Sequence, residues 1–208
     1  DTNEYLNKKI TVEGWVRNHH KQKEFGFIDF SDGTCFKTLQ VVYDNKLSNF
    51  DEIQKIRVGS AVSVTGTLIE SPKEGQPFEL QVESLELLGD SPENYPIQPK
   101  RHSREFLREQ AYLRPRTNLF QAVFRIRSLA AMAIHEYFQN NGYVYVHTPL
   151  ITCADCEGSD QMFKITTLDF DNIKKDEDGK ADMTEDLFGQ KAFVTGSGQL
   201  HGEAFAMA

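Results

Sequence analysis

Apolar and polar residues alternate with period two along the first hundred positions, in short runs broken by turn residues, which is the pattern of half-buried β-strands. Five such runs stand out: Lys9–Arg17, Phe25–Ser31, Phe36–Tyr43, Ala61–Glu70 and Phe78–Leu88. Ser31-Asp32-Gly33 supplies a turn between the second and third, and Pro72, Gly75 and Pro77 mark the last turn. A short helical stretch, Ser48 to Ile56, falls between the third and fourth strands. Five strands with a connection after the third predict a small Greek-key barrel of the OB type.

The period then changes. Between Gly89 and Lys100 come Pro92, Pro96 and Pro99, which read as a linker. From Thr117 an apolar stripe at helical spacing runs through Phe120, Phe124, Ile126, Leu129, Met132, Ala133 and Phe138, and Asn140-Asn141-Gly142 is its stop. Tyr143–His147 then reads as a strand ending at Thr148-Pro149. The expected organisation is a barrel over residues 1–90, a basic hinge over 91–116, and the beginning of a second, α+β domain over 117–208.

Composition adds constraints. Thirty-one acids against 23 bases give a net charge of −8, so a uniformly basic, nucleic-acid-coating surface is excluded and the distribution of charge matters more than its total. The basic residues gather between Lys100 and Arg127: Lys100, Arg101, Arg104, Arg108, Arg114, Arg116, Arg125 and Arg127 face only Glu105 and Glu109. That stretch is either a solvated helical face or a phosphate-contacting hinge. Asp169–Asp186, rich in acids, reads as a surface loop or insertion without chemistry. No run of eighteen apolar residues is found and Asp1-Thr2-Asn3-Glu4 does not resemble a signal peptide, so a cytoplasmic location is expected and no membrane. Cys153-Ala154-Asp155-Cys156 has C-x-x-C spacing, but without a second pair or a histidine pair to complete four ligands it carries no metal site.

The last informative stretch is Val194-Thr195-Gly196-Ser197-Gly198-Gln199-Leu200-His201-Gly202-Glu203. Small residues flank a large amide, Gln199, and a carboxylate, Glu203, so a small ligand could approach the backbone there. The alternative is an ordinary Gly-rich turn entering a helix.

Four stretches in order, Arg101-His102-Ser103-Arg104-Glu105-Phe106-Leu107-Arg108, Leu113-Arg114-Pro115-Arg116-Thr117-Asn118, Asp155-Cys156-Glu157-Gly158 and the C-terminal decapeptide, resemble the bacterial-type asparaginyl-tRNA synthetases. These are class II aminoacyl-tRNA synthetases of the aspartyl, asparaginyl and lysyl subgroup. The resemblance covers nearly the whole chain and implies an anticodon-binding OB barrel followed by part of an antiparallel-sheet catalytic domain. It implies ATP-dependent activation of L-asparagine to an adenylate, magnesium, transfer to tRNA(Asn), and a homodimer built on a motif whose hallmark proline matches Pro149. Phe27 matches the aromatic that stacks on the middle anticodon base, and Gln40 the amide that reads that base, a uracil; the alternative for Phe27 is a core aromatic of the barrel. Glu157 matches a mobile-loop carboxylate that meets the substrate ammonium. Ser197 and Gln199 match one face of an amino-acid-binding strand. Gly202 stands where aspartyl enzymes carry a lysine, which favours asparagine, since a buried lysine beside a neutral amide would be an unpaired charge. No catalytic base is assigned. The family's ATP-clamping arginines have no match before Ala208, so the chain is expected to be a segment of a longer protein that alone binds tRNA weakly and forms no adenylate. An aspartyl-tRNA synthetase, and a non-catalytic OB-fold RNA-binding or dimerisation module, stand as alternatives.

Overall fold

Period-two alternation becomes a closed barrel when its first and last strands find partners, and the chain does this in the order β1-β2-β3-β5-β4. The computed structural model describes residues 4–72, 75–154 and 162–208. The strands are β1 (Lys9–Lys21), β2 (Phe25–Ser31), β3 (Leu39–Asp44), β4 (Ala61–Glu70) and β5 (Phe78–Gly89). Neighbours are antiparallel except β3 and β5, whose parallel pairing through Gln40↔Glu79, Val41↔Leu80 and Val42↔Gln81 closes the barrel. The expected five-stranded OB barrel is therefore present.

Inward positions form the core: Val16, Ile28, Phe30, Val41, Tyr43, Val62, Val64, Leu68, Leu80 and Leu85 are buried. Each such aliphatic side chain contributes roughly 1.5–3 kcal/mol by leaving water. Helix α1, only Phe50–Ile53 rather than Ser48–Ile56, places Ile53 in this core, and Ile56 follows it there. Gly66 permits the closest approach of two strands: a Cβ there would lie 2.1 Å from the backbone oxygen of Gln81.

Two strand boundaries differ from expectation. β1 runs to Lys21 instead of stopping at Arg17, because Arg17 is an extra residue: Val16 pairs with Phe30 and Asn18 with the very next position, Asp29. Such a bulge shifts the alternation by one, so the inward set Ile10, Val12, Gly14, Val16 continues at His19, and the period-two pattern is lost at the bulge. β3 begins at Leu39, not Phe36, because Asp32 closes a local turn by accepting from Thr34 N at 2.9 Å and Thr34 Oγ1 at 2.7 Å, and the ladder starts at Phe30↔Leu39.

His19 is the polar member of the inner face. Its Nδ1 lies 3.0 Å from the Ile56 carbonyl, an acceptor only, so Nδ1 carries the proton and Nε2 accepts the Tyr43 hydroxyl at 2.6 Å. Burial pushes Tyr43 up to about 12 and lowers His19, so the pair is held as neutral imidazole and phenol. A histidine depressed in the folded state stabilises it fully above the unfolded value of about 6.5 and loses that contribution as pH falls. The melting temperature is expected to drop between pH 7.5 and 5, and His19→Phe to flatten that dependence while lowering stability at pH 7.5. An equal pH slope in wild type and variant would remove His19 as its source.

By residue contacts the chain forms two units, Asp1–Ala131 and Met132–Ala208. The first holds the barrel and the Pro-rich and basic stretches. Arg57 pairs with Asp90 and Glu93, and Ser60 Oγ donates to Asp90 at 3.1 Å, so the chain leaving β5 is fastened to the barrel. Ile97, Leu107 and Leu113 make a second small core with Tyr95, Phe106 and Phe120 around it. Helix α2 (Arg104–Glu109) is capped by Ser103, whose hydroxyl accepts from Phe106 N at 3.1 Å. A single 3₁₀ turn, Arg114–Arg116, leads into α3 (Asn118–Asn140), and the Arg114 guanidinium lies 4.9 Å over the Phe120 ring.

In the second unit α3 ends as its sequence predicts. Tyr143 N donates to Phe138 O and Gly142 N to Gln139 O, both at 3.0 Å, with Gly142 at φ 83°; this is a Schellman cap, sealed by the Tyr143–Phe138 ring contact at 5.2 Å. The strand expected over Tyr143–His147 is not formed. It has no ladder partner among the described residues, and Tyr145 instead packs edge-on against His135 at 4.8 Å. A small antiparallel sheet follows in the order β6 (Ile151–Thr152), β8 (Ala192–Val194), β7 (Lys164–Ile165). Within the acidic stretch Lys175 bridges to Ala181, and buried Asp186 anchors its end: N–H donation from Thr167 at 2.8 Å is the main cause holding its carboxyl down to about 2.

Candidate functional site

Because β2 buries Gly26, Ile28 and Phe30, it turns Phe25, Phe27 and Asp29 outward. Because β3 buries Val41 and Tyr43, it turns Gln40 and Val42 outward. Register then assembles a surface from residues distant in sequence. Phe27 sits between His20 on β1 and Val42 on β3, and packs edge to face against Phe25 with ring centroids 5.3 Å apart. Phe27 is half-buried on the outer face and is not part of the inward core. One step along, a polar row crosses four strands: Asn18, Asp29, Gln40 and Glu79. Glu79 is buried and accepts the Gln81 amide at 2.7 Å and the Ser71 hydroxyl at 3.3 Å.

This patch can do two things chemically. An aromatic face takes a nucleobase of any kind, worth about 1–3 kcal/mol. The Gln40 amide beside it has both a donor and an acceptor, the complement of the imide edge of uracil, so it can add the preference that stacking lacks. The sequence pointed to Phe27 and Gln40 but not to Asn18 and His20, which lie on the same face with the Asn18 amide 2.7 Å from His20 Nε2. Their position past the bulge at Arg17 hid them.

The glycine-rich segment of the second unit is built differently from expectation. Gln199 does not lie on a strand: β8 ends at Val194, residues 195–198 form a turn, and Gln199 is the first residue of helix α4 (Gln199–Ala206). Ser197 therefore does not share a strand face with it. Instead the Ser197 hydroxyl accepts from Gln199 N at 3.1 Å, and the Gln199 amide donates to Glu203 Oε1 at 3.0 Å, one helical turn on. Thr195 Oγ1 donates to Ser197 O at 2.7 Å and Gly198 packs against Thr148. The reason is local. Gln, Leu, Glu and Ala favour helix, the serine hydroxyl serves its opening turn, and among the described residues no strand pairs with this segment. Gly202 lies in this helix and opens to solvent, and a methyl group added there would meet nothing within 4 Å. Pro149 is exposed in the extended stretch before β6, and Cys153 is a free, exposed thiol. Glu157, Gly158 and Cys156 lie outside the described residues.

With this geometry in hand, comparison with known proteins places the chain. Residues 10–88 match the family of OB-fold nucleic acid binding domains of the tRNA anticodon type, and residues 103–197 match class II tRNA synthetases of the D, K and N types. The chain belongs to the class II aminoacyl-tRNA synthetases of this subgroup. Within it, the curated relatives that the chain resembles are of the asparaginyl type. It is 52% identical to the asparagine–tRNA ligase of Acholeplasma laidlawii and 53% identical to that of Acetivibrio thermocellus, over 100% of this chain and 45% of each relative. It thus spans under half the length of the curated relatives it matches. The fold agrees with an asparaginyl-tRNA synthetase from Pyrococcus horikoshii solved with asparaginyl-adenylate, at a TM-score of 0.77 and 24% identity, covering 99% of this chain and 43% of that one.

Proposed function

We propose that the protein acts in asparagine–tRNA ligation: ATP-dependent activation of L-asparagine and its transfer to tRNA(Asn). The observation that carries this is the outward Phe25–Phe27 pair beside Gln40 on a closed OB barrel, in a chain about half identical to asparagine–tRNA ligases along its whole length. The amino acid's carboxylate attacks the α-phosphate of ATP and pyrophosphate leaves. The terminal ribose hydroxyl of the tRNA then takes the acyl group and AMP leaves. Both steps depend on positioning and charge neutralisation, and no side chain here is given the role of nucleophile or base.

Glu157, Ser197 and Gln199 are assigned to asparagine, Phe27 and Gln40 to the anticodon, and Pro149 to the dimer motif of a cytoplasmic homodimer. Support for the dimer is the apolar surface in the second unit, where Met132, Ile134, Tyr137, Val144 and Tyr145 are exposed. Among the described residues no helix is long and apolar enough to cross a membrane. ATP and magnesium belong to this proposal; among the described residues no three His, Cys, Asp or Glu side chains come together to hold a metal ion.

The assignment of asparagine is tested at Gly202. A Cβ added there meets nothing within 4 Å, and in the asparagine site proposed here a lysine ammonium at this position would face the substrate's neutral amide instead of a carboxylate. Gly202→Lys in the full-length protein is expected to lower asparagine-dependent ATP–pyrophosphate exchange by about tenfold or more, as a cost of roughly 1.4 kcal/mol or above requires. Unchanged asparagine kinetics, or exchange that depends on aspartate in the wild type, would sink the assignment.

A further inference from the structure

On the first unit, beside the anticodon patch, the chain forms a broad cleft of about 1230 Å³ between the barrel and the basic stretch. Its wall includes five cations, Arg17, Lys100, Arg101, Arg116 and Arg125, and one carboxylate, Asp29. None of the five forms an ion pair among the described residues, although acids outnumber bases in the chain. Two of them are positioned by neutral partners: Arg116 Nη1 donates to the Tyr95 hydroxyl at 3.2 Å, and Arg125 Nη2 to the Gly33 carbonyl at 3.1 Å. Arg17, the bulged residue of β1, projects into the same cleft half-buried; desolvation lowers its pKa and Arg116 adds to the drop. Guanidinium groups that line one cleft without a paired carboxylate are an arrangement that a bound anion relieves.

We infer that this cleft is a second RNA contact, in which the sugar-phosphate backbone of the tRNA is gripped by Arg17, Arg116 and Arg125 while its anticodon base stacks on Phe27. The inference rests on the anticodon reading. It is favoured over an acidic polypeptide by continuity: Asn18 and Asp29 line the cleft and also belong to the row that carries Gln40. The indole of Trp15, about half exposed, adds an aromatic face inside the cleft. Contacts of this kind set register and affinity and carry no sequence information, so their loss should be blind to the anticodon.

The test uses the chain with an asparagine-type tRNA transcript and the same transcript with its middle anticodon uracil replaced, titrated between roughly 50 and 200 mM salt. Arg116→Gln/Arg125→Gln changes two exposed side chains and is expected to weaken both RNAs by the same factor. It should flatten the dependence of log affinity on log salt by about 1.4–1.8, the loss of two phosphate contacts. If that variant does not fold, Lys100→Gln/Arg101→Gln on the same rim should do likewise. Unchanged affinity and slope, with the loss from Phe27→Ala intact, overturns the cleft and spares the anticodon reading. Wild-type protein that binds neither transcript overturns both. If poly-glutamate binds the wild type and only that binding is lost in the variant, the cleft takes an acidic polypeptide and the RNA assignment falls.

Discussion

Phe27→Ala is expected to weaken binding of an asparagine-type tRNA by about 5- to 150-fold, the range that corresponds to losing about 1–3 kcal/mol of base stacking. The barrel should melt nearly where the wild type does, because Phe27 lies on the outer face, and the inward core of Ile28, Phe30, Val41 and Tyr43 is untouched. Filter binding with the intact transcript, paired with a thermal melt of the variant, separates the two readings. A core aromatic would cost several kcal/mol of stability on truncation. Should Phe27→Ala bind tRNA as the wild type does, the patch is not where the base stacks. Phe25, about one-third exposed and in contact with Phe27, limits the loss, since it offers a neighbouring ring to a displaced base.

Gly66→Ala should unfold the barrel more readily than any polar change on its surface. The added methyl would meet the Gln81 carbonyl oxygen at 2.1 Å and its carbon at 2.8 Å, and both are backbone atoms that no rotamer change can move aside. The site is also where β5 carries its own extra residue, since Thr65 pairs with Ser84 and Gly66 with Val82. Relief therefore requires β4 and β5 to part, at a cost of about 3 kcal/mol or more. For a domain of this size that is a fall in melting temperature of roughly 10 °C or more. Gly89→Ala is the control, because a Cβ there makes only ordinary contact at 3.9 Å. A shift at Gly66 no larger than at Gly89 would mean that the strands yield where the packing says they cannot.

How much of this was legible beforehand follows from the range of the forces involved. The strands of the barrel are visible as alternation, and the outward placement of Phe27 and Gln40 follows from their buried neighbours Ile28 and Val41. Alternation is a local signal and survives without knowledge of partners. The bulge at Arg17 is set by what lies across the ladder, so Asn18 and His20 could not be put on the same face as Phe27 from their spacing. Tyr143–His147 failed for the same reason in reverse. Its residues favour strand, but a strand needs hydrogen bonds from another segment, and none of the described residues supplies them. At the C-terminal decapeptide, family resemblance pointed to a strand, while composition allowed a turn entering a helix; Ser197 bonding to Gln199 N and the Gln199–Glu203 pair belong to the latter.

The extra residue in β1 has a further meaning. Side chains along a strand behave like a two-letter code, in and out, and Arg17 acts on it as a single-letter insertion does on a reading frame. Upstream of it the even-numbered residues point inward, and downstream His19 does. Removing that one position while keeping the pairing would leave Asn18 opposite Asp29 and His19 opposite Ile28, each on its present face, and would restore the simple alternation from Ile10 to Lys21. What residue 17 adds is therefore not packing but a cation at the cleft, and its deletion should cost the barrel's surface chemistry more than its interior.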